Sequence, residues 1–141
     1  MSQENVEIVA DDDIELVRHA FDVYNTGDVD AFVDLFTDDG EVETDPRFPE
    51  GGTFSGREPV RRFFAGLHQG WQGGSAGTVK EMRRAGDSVL ATFEWHATGE
   101  LSGIDVSSDW FGLWTLRDGR IARVRFFYDR AEALEAAGLR Q

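Results

Sequence analysis

Residues 106–128, VSSDWFGLWTLRDGRIARVRFFY, decide the fold. Two runs rich in β-branched and aromatic residues, Val106–Leu116 and Ile121–Tyr128, flank Asp118-Gly119. An Asp-Gly pair between such runs predicts a two-residue hairpin, because both central residues of that turn need positive φ. Working outward, Val89–Thr98 alternates, with Val89, Ala91, Phe93, Trp95 and Ala97 on one face. Val79–Arg84 precedes it across a turn at Gly86-Asp87. Strands joined by hairpins pair antiparallel. A short helix, Ala131–Ala137, follows and stops at Gly138.

The first half reads as helices. Asp11, Asp12 and Asp13 supply an N-cap and favourable first-turn charge. Ile14, Val17, Ala20, Phe21 and Tyr24 then recur at helical spacing. Gly27 ends that helix, and Asp28 caps a second one carried by Val29, Phe32, Val33, Leu35 and Phe36. Asp38-Asp39-Gly40 reads as a turn, Glu41–Thr44 as a short strand, and Thr53-Phe54 as another. Gly56-Arg57-Glu58-Pro59 opens a third helix with Val60, Phe63, Phe64 and Leu67 on its apolar face. The glycine-rich Gly70–Gly77 is expected to break the chain. Three helices followed by consecutive antiparallel strands make an α+β domain over residues 12–138, with 1–11 as a leader. A sheet bent around those helices forms a cone with a cavity at its open end.

Composition excludes several functions. The 141 residues carry 14 Lys+Arg against 27 Asp+Glu, a net charge of −13. Nucleic acid and anionic membranes both need a positive surface, so neither is an expected partner. The imbalance is local. Residues 1–45 hold 15 acids and one base, and the remainder 12 acids and 13 bases. Those acids alternate with apolar residues at helical spacing, which reads as a solvated helix face. Cysteine is absent, so disulfides, thiolate chemistry and cysteine metal sites are excluded. The three histidines show neither HxH nor HExxH spacing, so no metal site is expected. No apolar run reaches membrane-spanning length and no leader of the secretory kind opens the chain, which points to the cytoplasm.

Several pieces, in this order and spacing, resemble the nuclear transport factor 2-like superfamily and its SnoaL-like polyketide-cyclase type. They are Tyr24-Asn25-Thr26-Gly27-Asp28-Val29-Asp30-Ala31, Asp38-Asp39, Gly56-Arg57-Glu58, Trp114–Ile121 and Asp129–Leu134. The resemblance implies a cone-shaped curved antiparallel sheet on three N-terminal helices. It leaves the chemistry open, since that fold hosts isomerases, cyclases, hydrolases, dehydratases and plain binding domains. The ketosteroid isomerase branch places a carboxylate base at the end of the first strand. Val42-Glu43-Thr44-Asp45-Pro46 makes Asp45 the matching residue, displaced by one insertion. The oxyanion partners of that branch fall on Ala20 and Gly112, so its full machinery is missing. The aspartate of limonene epoxide hydrolase falls on Phe126. Asp109 matches the late-strand acid of polyketide cyclases but alternates away from Trp110, Gly112 and Trp114. His19, His68 and His96 read as helix-surface or outer-sheet residues, and Arg57 as structural.

What remains is an aromatic cavity. Its candidate lining is Tyr24, Phe63, Phe64, Phe93, Trp95, Trp110, Trp114, Val124, Phe126 and Tyr128, with Asp45 as the candidate acid/base. The expected guest is a flat or polycyclic apolar molecule with one or two oxygens, needing no cofactor. Three readings stand: a cofactor-free isomerase, cyclase or lyase using Asp45; a non-catalytic binder of an apolar ligand; and a dimerising interaction domain. A base at Asp45 requires a raised pKa. The outer sheet face, with Leu90, Thr92, Glu94, His96, Phe111, Leu113 and Thr115, carries an apolar stripe. A homodimer is the expected way to cover it.

Overall fold

A computed structural model describes residues 11–47 and 51–140. Its elements are α1 (Asp12–Asn25), α2 (Val29–Val33), β1 (Phe36–Glu43), β2 (Thr53–Ser55), α3 (Arg57–His68), β3 (Trp71–Ala85), β4 (Ser88–Gly99), β5 (Asp105–Arg117), β6 (Arg120–Phe127) and α4 (Arg130–Ala137). The leader assigned to residues 1–11 lies outside the described residues except for Asp11. That residue caps α1 by accepting from the amides of Asp13 and Ile14.

The fold is α+β, with one six-stranded sheet in the order β2-β1-β6-β5-β4-β3. Four neighbouring pairs are antiparallel, but β1 and β6 run parallel. Hairpins dictate direction only between consecutive strands, and β1 and β6 are separated by all the intervening elements. Asp118 (φ 55) and Gly119 (φ 75) form the expected turn between Arg117 and Arg120.

Three local expectations are corrected. The second helix stops at Val33, because the carbonyl of Leu35 already accepts the amide of Ile121 and Phe36 already pairs in the sheet. Asp38-Asp39-Gly40 is not a turn but lies inside β1, where the register against β6 slips between Phe36 and Glu41. Gly40 fits closely there: a Cβ would sit 3.0 Å from the Phe36 ring, which would have to give way. Gly70–Gly77 does not break the chain either. β3 runs through it, and the register slips between Trp71 and Ser75 where Gly73 and Gly74 have positive φ.

The helix junction is explained by contacts to β3. The Asn25 side chain donates to the Gly77 carbonyl at 2.9 Å and accepts the Gly77 amide at 2.8 Å. Gly77 admits the Phe21 ring, which a Cβ would meet at 3.1 Å. Arg57 is structural: its guanidinium ties the start of α3 to Asp34, Asp38 and the Phe36 carbonyl.

Two cores lie on opposite faces of the sheet. The larger, between the concave face and α1–α3, holds Phe21, Phe32, Phe64, Phe93, Trp114, Val124 and Phe126. The smaller joins Leu90, Phe111, Leu113 and Phe127 to Ala133 and Leu134 of α4. This corrects the reasoning behind the homodimer. The apolar stripe on the outer face is covered by the chain's own last helix, so no second copy is needed to remove it from water. The rest of that face is polar, with Lys80 on Asp109 (2.9 Å) and His96 Nε2 on Thr78 Oγ1 (3.0 Å).

Candidate functional site

Alternation along the strands aims one set of rings at the helices. Phe93 pairs with Trp110, Val89 with Trp114, and Gly112 with Phe126, so all six lie on the concave face. Phe21 and Tyr24 come from α1, Phe32 from α2, and Phe64 and Leu67 from α3. With Gly77, Phe93, Trp95, Trp110, Trp114 and Phe126 they enclose a cavity of about 30 Å³. That is room for about two water molecules. The rings meet edge to face, as Phe21 does with Phe93 at 4.9 Å, while Trp95 and Trp110 stack at 5.5 Å. Edge-on packing of this kind fills space well. The cone at rest is therefore narrower than a polycyclic guest.

Seven of the ten predicted lining residues are in this wall: Tyr24, Phe64, Phe93, Trp95, Trp110, Trp114 and Phe126. Phe63 packs behind it on Phe54 (5.1 Å) and Phe126 (6.4 Å). Val124 is fully buried beside Trp114, its cross-strand partner. Tyr128 is half-buried past the end of β6, edge-on to Trp110 at 6.0 Å. Phe21, Phe32, Leu67 and Gly77 complete the wall without having been singled out, although the helical stripe of α1 already contained Phe21.

A polar cluster backs the cavity. The Tyr24 hydroxyl lies 2.5 Å from Ser75 Oγ, and the Ser75 amide donates to His68 Nδ1 at 2.8 Å. The His68 imidazole stacks on the Tyr24 ring at 4.4 Å. The bulge at Gly73-Gly74 makes this approach possible, since a Cβ on Gly74 would sit 2.6 Å from His68 Nδ1. Because Nδ1 accepts the Ser75 amide, the neutral ring carries its proton on Nε2. Burial pushes the His68 pKa down. Burial also pushes Tyr24 up to about 12, partly offset by Ser75 and the nearby Trp95 indole. Both groups are thus neutral near pH 7. Sequence reasoning missed this cluster. His68 was read as a half-exposed helix histidine, and its partner lies across the glycine bulge.

Asp45 is buried, with a side chain 3% exposed. Its carboxylate accepts from the Arg47 amide (2.9 Å), Arg47 Nε (2.8 Å) and Arg47 Nη2 (2.5 Å). Arg47 also reaches Glu132 at 3.1 Å and lies over the Tyr128 ring. These Arg47 hydrogen bonds, opposed by burial, hold Asp45 at about 2. A base would need the opposite shift. Asp45 lines a separate hollow of about 130 Å³ with Thr44, Pro46, Arg125 and Glu132, which shares Phe126 with the aromatic cavity. Asp109 and His96 face outward, and His19 is exposed on α1. Among the described residues no three His, Asp or Glu side chains gather as a metal-ligand set, and no helix is long and apolar enough to cross a membrane.

Comparison with known proteins identifies the family. The profile of the SnoaL-like domain matches residues 17–124. The chain belongs to the SnoaL-like domain family. Solved structures described as ketosteroid isomerase-like or NTF2-like share its fold. One is a hypothetical protein with a ketosteroid isomerase-like fold from Catenulispora acidiphila, in complex with trimethylamine. It has 21% identity and a TM-score of 0.71, over 89% of this chain and 94% of that one. Another is TerC, co-crystallized with polyporic acid, at 21% identity and TM-score 0.72, over 91% of this chain and 99% of that one. A third is SalBIII, an epoxide hydrolase/cyclase-like enzyme in pyran ring formation. It has 25% identity and TM-score 0.66, over 83% of this chain and 90% of that one. A comparison with curated proteins finds no match.

Proposed function

We propose that this SnoaL-like chain binds a small, flat, apolar molecule in the aromatic cavity and that binding, not proton transfer by Asp45, is its primary activity. The observation that supports this is the wall itself: nine aromatic rings with Leu67 and Gly77, and no carboxylate, imidazole or ammonium among the described residues. Tyr24 is the one titratable group in that wall, and burial keeps it protonated. The small molecules held by the Catenulispora protein and by TerC are consistent with such a role for this fold. A thermal-shift screen of aromatic polyketide, quinone, terpenoid and steroid compounds tests it. A ligand at a hundred times its Kd adds about 2.7 kcal/mol of stability. Asp45→Asn should retain that shift; no shift from any class overturns the reading.

A second reading is a cofactor-free acid–base enzyme of the isomerase, cyclase or lyase kind. The burial of Asp45 in a hollow that shares Phe126 with the aromatic cavity favours it. Release of Arg47 would free the carboxylate and let burial raise its pKa. Turnover abolished by Asp45→Asn, with binding intact, would establish this reading over the first.

Pairing of two copies through the outer face fits either reading, but on the strip α4 leaves open. Thr78, Lys80, Glu94, His96 and Asp109 make that strip polar. A dimer there should dissociate as salt rises. Light scattering showing a monomer at low salt contradicts it.

A further inference from the structure

The sheet has two edges of very different length. β2, with three residues, forms one, and β3, with 15, forms the other. A long edge presents unpaired N–H and C=O groups and invites another strand. β3 deals with this along its first half. The Asn25 side chain takes both the amide and the carbonyl of Gly77, at 2.8 Å and 2.9 Å, as a neighbouring strand would. The Ser75 amide is taken by His68 Nδ1 at 2.8 Å. Ser75 and Gly77 therefore turn their backbone groups away from β4.

The second half is different. The register against β4 slips between Val79 and Glu81, which changes the parity of the outward residues. Gly86-Asp87 closes a two-residue hairpin on Ala85 and Ser88, with Gly86 at φ 65. A closing pair of that kind bonds across to its partner strand, so Met82 and Arg84 turn outward. Among the described residues no other element bonds to the backbone of these two.

Two observations say what fits there. The first is position. Arg84 holds Asp11, the first described residue, at 3.4 Å, and Asp13 at 2.7 Å. From that point α1 runs back to Gly77, antiparallel to β3. The chain thus enters α1 at the end of the open edge, and a strand preceding Asp11 would lie parallel to β3. The stretch before it, Glu4-Asn5-Val6-Glu7-Ile8-Val9-Ala10, is rich in β-branched residues. Seven residues reach about 23 Å, enough to follow β3 from Val79 to Ala85. The second observation is charge. Lys80, Arg83 and Arg84 against Glu81 make this half of β3 basic in an acidic chain, whereas residues 4–10 carry Glu4 and Glu7 and no base. A second copy of β3 would set three bases against three bases, which is destabilising.

We infer that residues 5–9 dock as a seventh strand, parallel to β3, along its free edge at residues 80–84. The edge is thereby closed by an acidic segment of the same chain, whatever the concave cavity holds.

The test uses NMR on the full chain, with ¹⁵N-labelled and ¹³C-labelled copies refolded together. Nuclear Overhauser effects should join residues 5–9 to 80–84 within one copy, and the Met82 and Arg84 amides should exchange slowly. Ile8→Pro breaks such a strand at its middle. Exchange at Met82 and Arg84 should then quicken about five- to tenfold, the worth of one hydrogen bond. The Glu81 and Arg83 amides, turned toward β4, should keep their rates, which also shows that the variant folds. Contacts between differently labelled copies would give the edge to a second copy and overturn the inference. So would Met82 and Arg84 amides that exchange like those of an unpaired strand, or that are equally protected in Ile8→Pro and the unaltered protein.

Discussion

The two faces of one sheet solve opposite problems with the same strands. On the concave side β4, β5 and β6 present Phe93, Trp95, Trp110, Trp114 and Phe126 to three helices. On the convex side the intervening residues, Leu90, Phe111, Leu113 and Phe127, meet a single short helix bearing Ala133 and Leu134. The convex seal closes two phenylalanines and two leucines of the sheet against Ala133 and Leu134, and no hollow among those described lies between them. The concave side uses large rigid rings that leave a cavity of about 30 Å³. A face meant only for packing would look like the convex one. The difference teaches that burial by itself does not mark a site; unfilled space does.

The sharpest way to break this contrast is to unseal the convex face. Leu134→Ala removes a side chain that is 4% exposed and should cost about 2–4 kcal/mol in urea unfolding. Light scattering should then show association, because Leu90, Phe111 and Leu113 become accessible. A stable, dispersed variant would mean that α4 is not what covers the stripe.

A middle-sized effect concerns pH and the cluster behind the cavity. Burial lowers the folded pKa of His68 below its ordinary 6.5, so the unfolded chain binds the extra proton first. Stability should thus be level above pH 7 and fall as pH drops through 6.5. The Ser75 amide at 2.8 Å adds to this, since a protonated Nδ1 cannot accept it. In His68→Gln the fall between pH 7.5 and 5.5 should be smaller. Parallel curves for the two proteins would remove His68 from the account.

The smallest effect belongs to the exposed outer strip. Lys80 and Asp109 pair at 2.9 Å, but both are about half exposed. Lys80→Ala should change stability by less than about 1 kcal/mol, which thermal unfolding would show. A larger loss would mean that this strip is covered by a partner in solution.

Much of this was legible in the sequence, for stated reasons. Period-two alternation placed Phe93, Trp95, Trp110, Trp114 and Phe126 on one face, and Asp118-Gly119 fixed the hairpin between β5 and β6. Caps at Asp11 and Asp28 fixed two helix starts. What escaped was non-local or disguised as punctuation. The glycines at 73 and 74 looked like a loop, yet they shape a bulge around His68. Gly40 looked like a turn and instead makes room for Phe36. The cover supplied by α4 could not be read from a helix with so few apolar residues. The Asp45 lock did carry a local signal, because Asp-Pro-Arg favours a side chain returning to the backbone two residues on. Its environment decides the weight given to catalysis, and only the folded chain supplied that.

The central claim is that the concave aromatic cavity is where the chain does its work. The most direct measurement follows the four tryptophan indole N–H signals by ¹H–¹⁵N NMR while 1,4-naphthoquinone is added. The account predicts that the Trp95 and Trp114 signals shift together with saturation, and that the Arg47 and Tyr128 amides beside Asp45 move far less. Movement confined to those amides, with the two indole signals unchanged, would place the ligand in the Asp45 hollow and contradict it.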